Sequence, residues 1–181
     1  IIKYLKRNKP DSLFLNHFKK NKQNLFPIRL NKNRLINNFD LWETCHLPGN
    51  IWRKKAIKLI NNNPKKILDI ATGTADFAIM AAKYTNAKIK GVDISKKMLI
   101  IGGEKIKNKQ LSNRISLELA DAEKLPFNNN SFQAITSGFG VRNFENIDRG
   151  LLEMLRVLEK DGVLVILEPS IPSKFLIKQI Y

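Results

Sequence analysis

Residues 67–76 read Ile-Leu-Asp-Ile-Ala-Thr-Gly-Thr-Ala-Asp, and this stretch decides the fold. A short apolar run predicts a buried strand, a tight turn at Gly73 ends it, and a helix rich in small residues follows directly. Glycine in such a turn lets the backbone approach a ligand where a Cβ would collide. The small neighbours Ala71 and Ala75 leave that space open. Taken alone, the stretch fits either a ligand-binding turn or a purely structural one.

Strands and helices alternate after this stretch. Apolar patterns predict strands at 67–71, 87–94, 115–120, 132–137 and 163–167, and helices at 51–60, 75–84, 95–108 and 148–159. Ser95 is the predicted N-cap of the third helix, and the pair Gly102-Gly103 weakens its middle for no reason visible in the sequence. Strands separated by helices imply a parallel sheet covered on both faces. The predicted fold class is therefore α/β, with a doubly wound, mainly parallel sheet.

An acid lies at the end of the second predicted strand. Asp93 follows Gly73 by twenty residues, within the run Gly-Val-Asp-Ile-Ser at 91–95. A carboxylate at this place accepts hydrogen bonds from both hydroxyls of a ribose. The alternative is an acid placed to favour the dipole of the next helix. The spacing favours ribose, and Asp69 and Ile94 belong to the same predicted cofactor surface.

The third predicted strand ends in a second acidic segment, Asp-Ala-Glu-Lys-Leu-Pro-Phe at 121–127. Asp121 can accept a hydrogen bond from an exocyclic amine, while Leu125 or Phe127 can form an apolar wall for a purine. Glu123 either serves instead of Asp121 or is solvated. A dinucleotide fold would carry a fuller glycine fingerprint for pyrophosphate, and only Gly73 is present. These features describe a nucleoside ligand without a polyphosphate, and S-adenosylmethionine is a ligand of that kind.

Four segments together, ILDIATGTAD, GVDIS, DAEKLPF and SGFGVRN, resemble the ubiquinone/menaquinone biosynthesis methyltransferase family over about residues 51–172. The resemblance implies a class I, Rossmann-like methyltransferase that uses S-adenosylmethionine. It implies cofactor contacts to the amino-acid part at Thr74, to the ribose at Asp93, and to the adenine at Asp121 and Ala122. Many relatives have serine where this chain has Gly138. Ser137 and Gly138 are both placed in the predicted cofactor site, with Ser137 as the candidate to replace that serine.

The segment after the fourth predicted strand, Phe-Gly-Val-Arg-Asn at 139–143, indicates the chemistry. A quinol ring carbon becomes nucleophilic when a ring hydroxyl loses its proton, since the negative charge then spreads to the ring carbons. A fixed guanidinium can stabilise that phenolate or hold a water that accepts the proton, which makes Arg142 the candidate catalytic residue. Asn143 is the candidate that orients a hydroxyl or carbonyl group. The alternative for Arg142 is helix capping or a surface ion pair.

The resemblance implies a methyltransferase that acts on a ring carbon of a polyprenyl quinol. Demethylmenaquinol is favoured over a 2-polyprenyl-6-methoxy-benzoquinol because ATGTAD and GVRNFEN are close to the menaquinone branch of the family. No metal site is predicted. The rival enzyme is an RNA or other methyltransferase of the same fold, suggested by the pI of about 10.0. The non-enzymatic rival is a degenerate protein that binds the cofactor without turnover.

Two domains of unequal character are expected. Residues 1–50 are a basic N-terminal extension or lid, partly irregular, and residues 51–181 are the methyltransferase domain. Family members carry a Tyr-Asp-x-Leu-Asn-like stretch shortly before the Trp-Arg helix, whereas the similar run at 13–18 lies more than thirty residues upstream of it and lacks the tyrosine. Relatives also continue into further strands after Glu168. The methyltransferase domain is therefore expected to be truncated, with its last strand left as an unprotected edge.

The net charge of +16 is concentrated near the start of the chain. Residues 1–66 hold 16 Lys and Arg against three acids. This asymmetry reflects either a surface for an anionic partner or a drift towards Lys, Asn and Ile at exposed positions throughout. With a prenylated substrate, peripheral contact with an anionic membrane is the predicted use, and no nucleic-acid partner is expected. One cysteine, no apolar run near 20 residues and no recognisable signal sequence favour a cytoplasmic protein, with the inner face of the membrane as its place of contact.

Overall fold

A computed structural model describes residues 2–6, 49–60 and 63–168, with residues 2–6 and 49–50 described by backbone alone. A 3-10 turn, Val141–Asn143, precedes the last helix. In chain order the elements are β1 (Ile2–Lys6), α1 (Gly49–Ile57), β2 (Lys66–Ile70), α2 (Asp76–Tyr84), β3 (Lys88–Asp93), α3 (Lys96–Asn108), β4 (Ile115–Leu119), β5 (Phe132–Gly138), α4 (Ile147–Val157) and β6 (Leu158–Leu167).

The described strands form a six-stranded sheet in the order β1-β6-β5-β2-β3-β4. All neighbouring pairs from β6 to β4 are parallel, which confirms the predicted Rossmann-like, doubly wound fold. The chain runs outward from β2 to β3 and β4, and then returns to the other side of β2 with β5 and β6. The strand order therefore reverses between β2 and β5. In such sheets, ligands bind beyond the carboxyl ends of the strands at this reversal.

Separate cores cover the two faces of the sheet because side chains alternate along each strand. In β6, Val163 and Val165 pack on the face covered by α1, α2 and α3. Leu164 packs on the opposite face, where α4 contributes the fully buried Leu151 and Met154. Strands buried on both faces are held in register, so the loops at their carboxyl ends have fixed starting points.

The edge of the sheet beyond β6 is covered. β1 lies antiparallel to β6, with Ile2 opposite Leu167 and Lys6 opposite Val163. Two expectations are wrong here: residues 2–6 are a strand rather than short helix or loop, and the last strand is not an open edge. An exposed strand presents unpaired N–H and C=O groups, and an extended segment from elsewhere in the chain satisfies them. Residues 7–48, with the similar run at 13–18, and residues 169–181 lie outside the described residues.

The junction of α4 and β6 also differs from the prediction. The helix expected over 148–159 ends at Val157, and β6 begins at Leu158. The extended backbone of Leu158 pairs with Phe132, and its side chain is fully buried. The run 160–162, which directly follows the predicted helix, lies in an irregular part of β6 where Asp161 has φ +65° and the register with β5 shifts. Pairing of Leu158 with the sheet therefore ends the helix at Val157, two residues before its predicted end at 159.

The glycine pair in α3 is explained by packing. A Cβ at Gly102 would lie 3.2 Å from the carbonyl carbon of Thr74 and 3.2 Å from the Cβ of Ala75, so its absence lets α3 approach the turn after β2. A Cβ at Gly103 would meet no atom within 4 Å. Ser95 caps this helix as predicted, because its Oγ accepts a hydrogen bond from Met98 N at 3.4 Å.

Alanine substitutions at the two glycines are expected to act in opposite directions. Gly103→Ala should raise the free energy of unfolding by about 0.5–1 kcal/mol, because alanine favours the helix and its Cβ has open space. The free energy of unfolding of Gly102→Ala should be at least about 1 kcal/mol lower than that of Gly103→Ala, because the added methyl presses on the backbone of Thr74. Urea denaturation of both variants measures the difference. Equal stabilisation at both positions would contradict this packing.

Candidate cofactor and substrate site

The carboxyl ends of β2 and β5 carry a cluster of left-handed backbone conformations. After β2, Ala71 has φ +53°, Gly73 φ +56° and Ala75 φ +65°, and after β5, Phe139 has φ +62°. Only glycine adopts such angles without strain, so the three other residues cost free energy that the surrounding structure must offset. The two loops contact each other, because a Cβ at Gly140 would collide with the Cβ of Ala71. The switch in strand order is therefore a tightly constrained site.

Asp93 joins the glycine turn to the end of β3. Its Oδ2 accepts a hydrogen bond from Gly73 N at 2.8 Å, and its Oδ1 accepts one from Ser95 N at 2.8 Å. Burial raises the pKa of Asp93, and backbone N–H groups around the carboxylate oppose that change. Each carboxylate oxygen keeps capacity for a further hydrogen bond. The structure thus brings together the turn and the acid that the sequence predicts to act together.

Asp69 has a different environment from the one expected of a cofactor ligand. It is 1% exposed, and its carboxylate accepts hydrogen bonds from Thr72 Oγ1 at 2.5 Å and Thr136 Oγ1 at 2.6 Å. Burial is the main cause that raises the pKa of Asp69 to about 6, while the two hydroxyls and the charge of Arg53 oppose it. These contacts tie the turn after β2 to β5. Asp69 therefore supports the turn from within the protein, and direct contact of its carboxylate with a ligand stays a prediction.

The hydroxyl of Thr74, assigned by resemblance to the cofactor, is engaged by the protein. It donates to Asp76 Oδ2 at 2.9 Å and accepts from Lys105 Nζ at 2.8 Å. Lys105 also lies 3.2 Å from Asp76 Oδ1. Thr74 is 8% exposed, so its hydroxyl is both buried and paired within the protein. Lys105 lies on α3, and no sequence pattern singled it out.

The predicted adenine segment lies at the end of β4 and is more open. Asp121 is exposed, and its Oδ1 accepts from Glu123 N at 2.8 Å. Ala122 is half-buried against the core that packs with α4. Ile94, which directly follows β3, is 75% exposed, a high value for an isoleucine. Leu125 is buried in the core, so it cannot form the apolar wall expected for a purine.

A clamp from α4 holds this segment in place. Arg156 donates to Leu125 O at 2.9 Å and to Phe127 O at 2.7 Å. Glu153 accepts from Leu125 N at 2.7 Å and pairs with Arg156 at 2.7 Å. Bidentate charge-assisted contacts of this kind restrict a loop more than neutral ones do. The clamp therefore fixes the backbone at 125–127, while Asp121 at the start of the segment is exposed.

Ser137 and Gly138 occupy the last two positions of β5. The Ser137 side chain is fully buried, and its Oγ has no hydrogen-bond partner among the described residues. A Cβ at Gly138 would lie 2.9 Å from the Phe77 ring, so Phe77 occupies the space that a serine there would need. A buried hydroxyl without a partner costs free energy, and Ser137 is thus a polar group left unsatisfied beside the loop 139–143.

The Phe139–Asn143 loop places Arg142 at the same edge of the sheet. The Phe139 ring lies between two guanidinium groups, with Arg53 5.8 Å and Arg142 5.9 Å from its centroid. Glu168 accepts from Val141 N at 2.9 Å and lies 3.4 Å from Arg142 NH1. Asn143 is exposed, with its amide 3.5 Å from Phe139 O.

Sequence reasoning missed Arg53 and Glu168. Arg53 is 6% exposed although it lies on a lysine-rich helix, where a charge pattern gives no sign of burial. Glu168 is 3% exposed and directly follows β6. An acid at the carboxyl end of a buried parallel strand was the available signal, as it was for Asp93.

The titration of Asp69 gives a testable pH dependence. Because its pKa is raised from 3.8 to about 6, the folded protein holds this proton more tightly than the unfolded chain does. Its contribution therefore lowers the free energy of unfolding as pH rises from about 4 to 7, by roughly 1–3 kcal/mol. Asp69→Asn lacks this group, so the stability of the variant relative to the wild type should increase over that range. A difference that is constant with pH in chemical denaturation would contradict the assignment.

Comparison with known proteins adds a family. The model of the ubiE/COQ5 methyltransferase family matches residues 40–181. A demethylmenaquinone methyltransferase of Bacteroides fragilis is 47% identical over 132 residues, which cover 72% of this chain and 54% of the relative. A ubiquinone/menaquinone biosynthesis C-methyltransferase of Citrifermentans bemidjiense is 41% identical and is covered to 57%. The chain thus spans about half the length of the curated relatives it matches.

Solved structures agree on the fold. A putative S-adenosylmethionine-dependent methyltransferase of Methanococcus maripaludis superimposes with a TM-score of 0.61 at 27% identity, covering 65% of this chain and 55% of that one. A putative methyltransferase of Bacillus halodurans gives a TM-score of 0.62 at 24% identity, covering 71% and 55%. Because the family model matches most of this chain, the chain belongs to the ubiE/COQ5 methyltransferase family.

Proposed function

We propose that this chain binds S-adenosylmethionine and methylates a ring carbon of a polyprenyl quinol. One observation carries the proposal: Asp93 and the Gly73 turn are joined at the switch in strand order, beside the loop that holds Arg142. A nucleoside site and a fixed guanidinium are the two parts that this reaction needs. The family and the names of its curated relatives support the same reaction.

The residues present fit the cofactor. Asp93 keeps acceptor capacity on both oxygens, which suits two ribose hydroxyls. The exposed Ile94 offers an apolar surface for a base, and the exposed Asp121 offers an acceptor for its amine. Ser137 is fully buried, so in this proposal it lies behind the loop 139–143 and is not part of the exposed cofactor surface. Asp69 and the Thr74 hydroxyl act in this proposal by shaping the turn.

The reaction would form a bond between the methyl carbon and a ring carbon as the methyl–sulfur bond breaks and a neutral thioether leaves. A quinol hydroxyl would lose its proton first, and after the transfer the ring carbon would lose its hydrogen as a proton while the ring oxygen regains one, so that one proton is released overall. The cofactor supplies the methyl group from a sulfonium. The main task of the protein is alignment in a site that excludes water. Arg142 stabilises the negative charge that forms on the quinol oxygen, and it holds the water that takes the proton, because arginine itself stays charged. Asn143 is exposed at the end of the turn and orients the second ring oxygen.

Demethylmenaquinol is the substrate we favour. Relatives from Bacteroides fragilis and Porphyromonas gingivalis, both named demethylmenaquinone methyltransferase, are 47% and 45% identical to the chain. The relatives named for both quinones are 41–42% identical. A benzoquinol is therefore the second substrate to test.

A face of α1 and α2 supports contact with an anionic membrane surface on the cytoplasmic side. Trp52 is 44% exposed and Tyr84 40% exposed, with Lys55 4.9 Å from the Trp52 ring and Lys54 5.4 Å from the Tyr84 ring. Exposed aromatic rings flanked by lysines suit the boundary between headgroups and water. Among the described residues, no helix combines the length and the apolar character that crossing a bilayer requires. A prenylated substrate held in the membrane would contact the protein at the boundary between headgroups and water.

Methyl transfer to demethylmenaquinol should depend on Arg142. Arg142→Lys keeps the charge but loses the planar fork, so kcat should fall at least about tenfold, with cofactor affinity unchanged. Arg149→Lys, at an exposed position on α4, is the matched control and should match the wild type. The assay follows labelled methyl groups into demethylmenaquinol, a 2-polyprenyl benzoquinol and bulk RNA.

Other outcomes of that assay decide against the proposal. Transfer to RNA alone would make the chain a nucleic-acid methyltransferase. Cofactor binding without transfer to any acceptor would leave a binding protein of this fold.

Vesicle binding tests the membrane contact. The protein should sediment with vesicles rich in phosphatidylglycerol and much less with neutral ones. Trp52→Ser should weaken that binding about 5- to 10-fold, because the ring no longer inserts at the boundary. Leu152→Ser removes a comparably exposed apolar side chain from α4 and should have no effect. Equal binding of the two variants, or equal binding to both vesicle types, would refute the contact.

A further inference from the structure

Glu168 is a buried acid that the proposed chemistry has not yet used. It directly follows β6, whose last residue accepts a hydrogen bond from Phe139 N at 2.7 Å. The acid therefore lies beside the loop that carries Arg142. It is 3% exposed, less than Asp93 or Asp121.

The Glu168 carboxylate contacts both the backbone and the side chain of the same turn. One oxygen, Oε1, accepts from Val141 N at 2.9 Å, and the other, Oε2, lies 3.4 Å from Arg142 NH1. The Arg142 side chain is 17% exposed. A single acid thus contacts both the first residue of the 3-10 turn and the guanidinium that follows it.

The Phe139 ring supplies a second constraint on the same guanidinium, with its centroid 5.9 Å away. Arginine has many rotamers, and contacts with two neighbouring groups restrict them. The guanidinium has five N–H donors, and the contact with Glu168 leaves others to face the quinol. A long side chain is therefore held ready before substrate binds.

We propose that Glu168 is the positioning residue for Arg142: its carboxylate holds the guanidinium and the Val141–Asn143 turn in the geometry needed for methyl transfer. This role rests on the proposed function, because it acts through Arg142. The alternative is a purely structural ion pair. Buried pairs contribute little net stability compared with apolar residues of the same volume, so stability alone is a weak reason for this one.

The test compares wild type, Glu168→Gln, Glu168→Asp and Glu118→Gln in the full chain. Glutamine can still accept from Val141 N but has no charge for Arg142. Aspartate keeps the charge on a shorter side chain. Glu118 pairs with Lys90 at 3.2 Å on the sheet surface and serves as the matched control. The measurements are kcat and KM for demethylmenaquinol, calorimetric affinity for S-adenosylmethionine, thermal midpoint, and the Arg142 Nε–H resonance by NMR.

Glu168→Gln should lower kcat about 10- to 100-fold, as expected for a misplaced catalytic group, with KM and cofactor affinity within about twofold of wild type. Glu168→Asp should recover part of kcat. The Arg142 Nε–H resonance should be sharp in the wild type and broadened by exchange in Glu168→Gln. Glu118→Gln should match the wild type in every measurement.

An unchanged kcat in Glu168→Gln, when Arg142→Lys is impaired, would overturn this role and leave the proposed function intact. A wild type inactive on every quinol would instead remove the proposed function. In that case an unchanged Arg142 resonance in Glu168→Gln would remove the positioning as well. Unfolding of both Glu168 variants would assign the pair to the fold and would also overturn the inference.

Discussion

The hydrogen bond from Gly73 N to the Asp93 carboxylate is the interaction on which the rest of the site depends. It joins the turn after β2 to the end of β3, and Ser95 N completes the contact from the start of α3. A residue that bends the chain sharply and an acid at the next strand end are thereby brought within hydrogen-bond distance. The pair defines a site in which the Asp93 carboxylate can accept hydrogen bonds from a ligand, and Gly73 has no side chain to obstruct that ligand.

Close packing maintains the strained loops around this bond. Gly102 lets α3 pack against the Thr74 backbone and the Ala75 Cβ, and Gly140 lets the loop after β5 lie on Ala71. Asp69 adds two hydroxyl contacts beneath the turn. Left-handed conformations at non-glycine residues persist only where such contacts compensate for them. Cofactor and substrate regions are therefore parts of one packed unit.

Most of the fold was predictable because it is local. The strands, the Ser95 cap and the Gly73–Asp93 spacing follow from periodicity and from residues near each other in sequence. Contacts between distant segments gave no such signal. β1 covers β6 by backbone pairing, Glu168 after β6 contacts Arg142 after the neighbouring β5, and Lys105 donates to the Thr74 hydroxyl. These contacts join segments that are far apart in the chain, and the residue pattern of a single sequence does not show which distant segments meet.

Calorimetric titration with S-adenosylmethionine tests the central claim most directly. The wild type should bind the cofactor, and Asp93→Asn should bind it at least about tenfold more weakly, because the amide loses an acceptor for the ribose as well as the charge. The Gly103→Ala variant, altered on the outer side of α3, should bind as the wild type does. Equal affinity in Asp93→Asn, or a wild type that takes up no cofactor, would contradict the account.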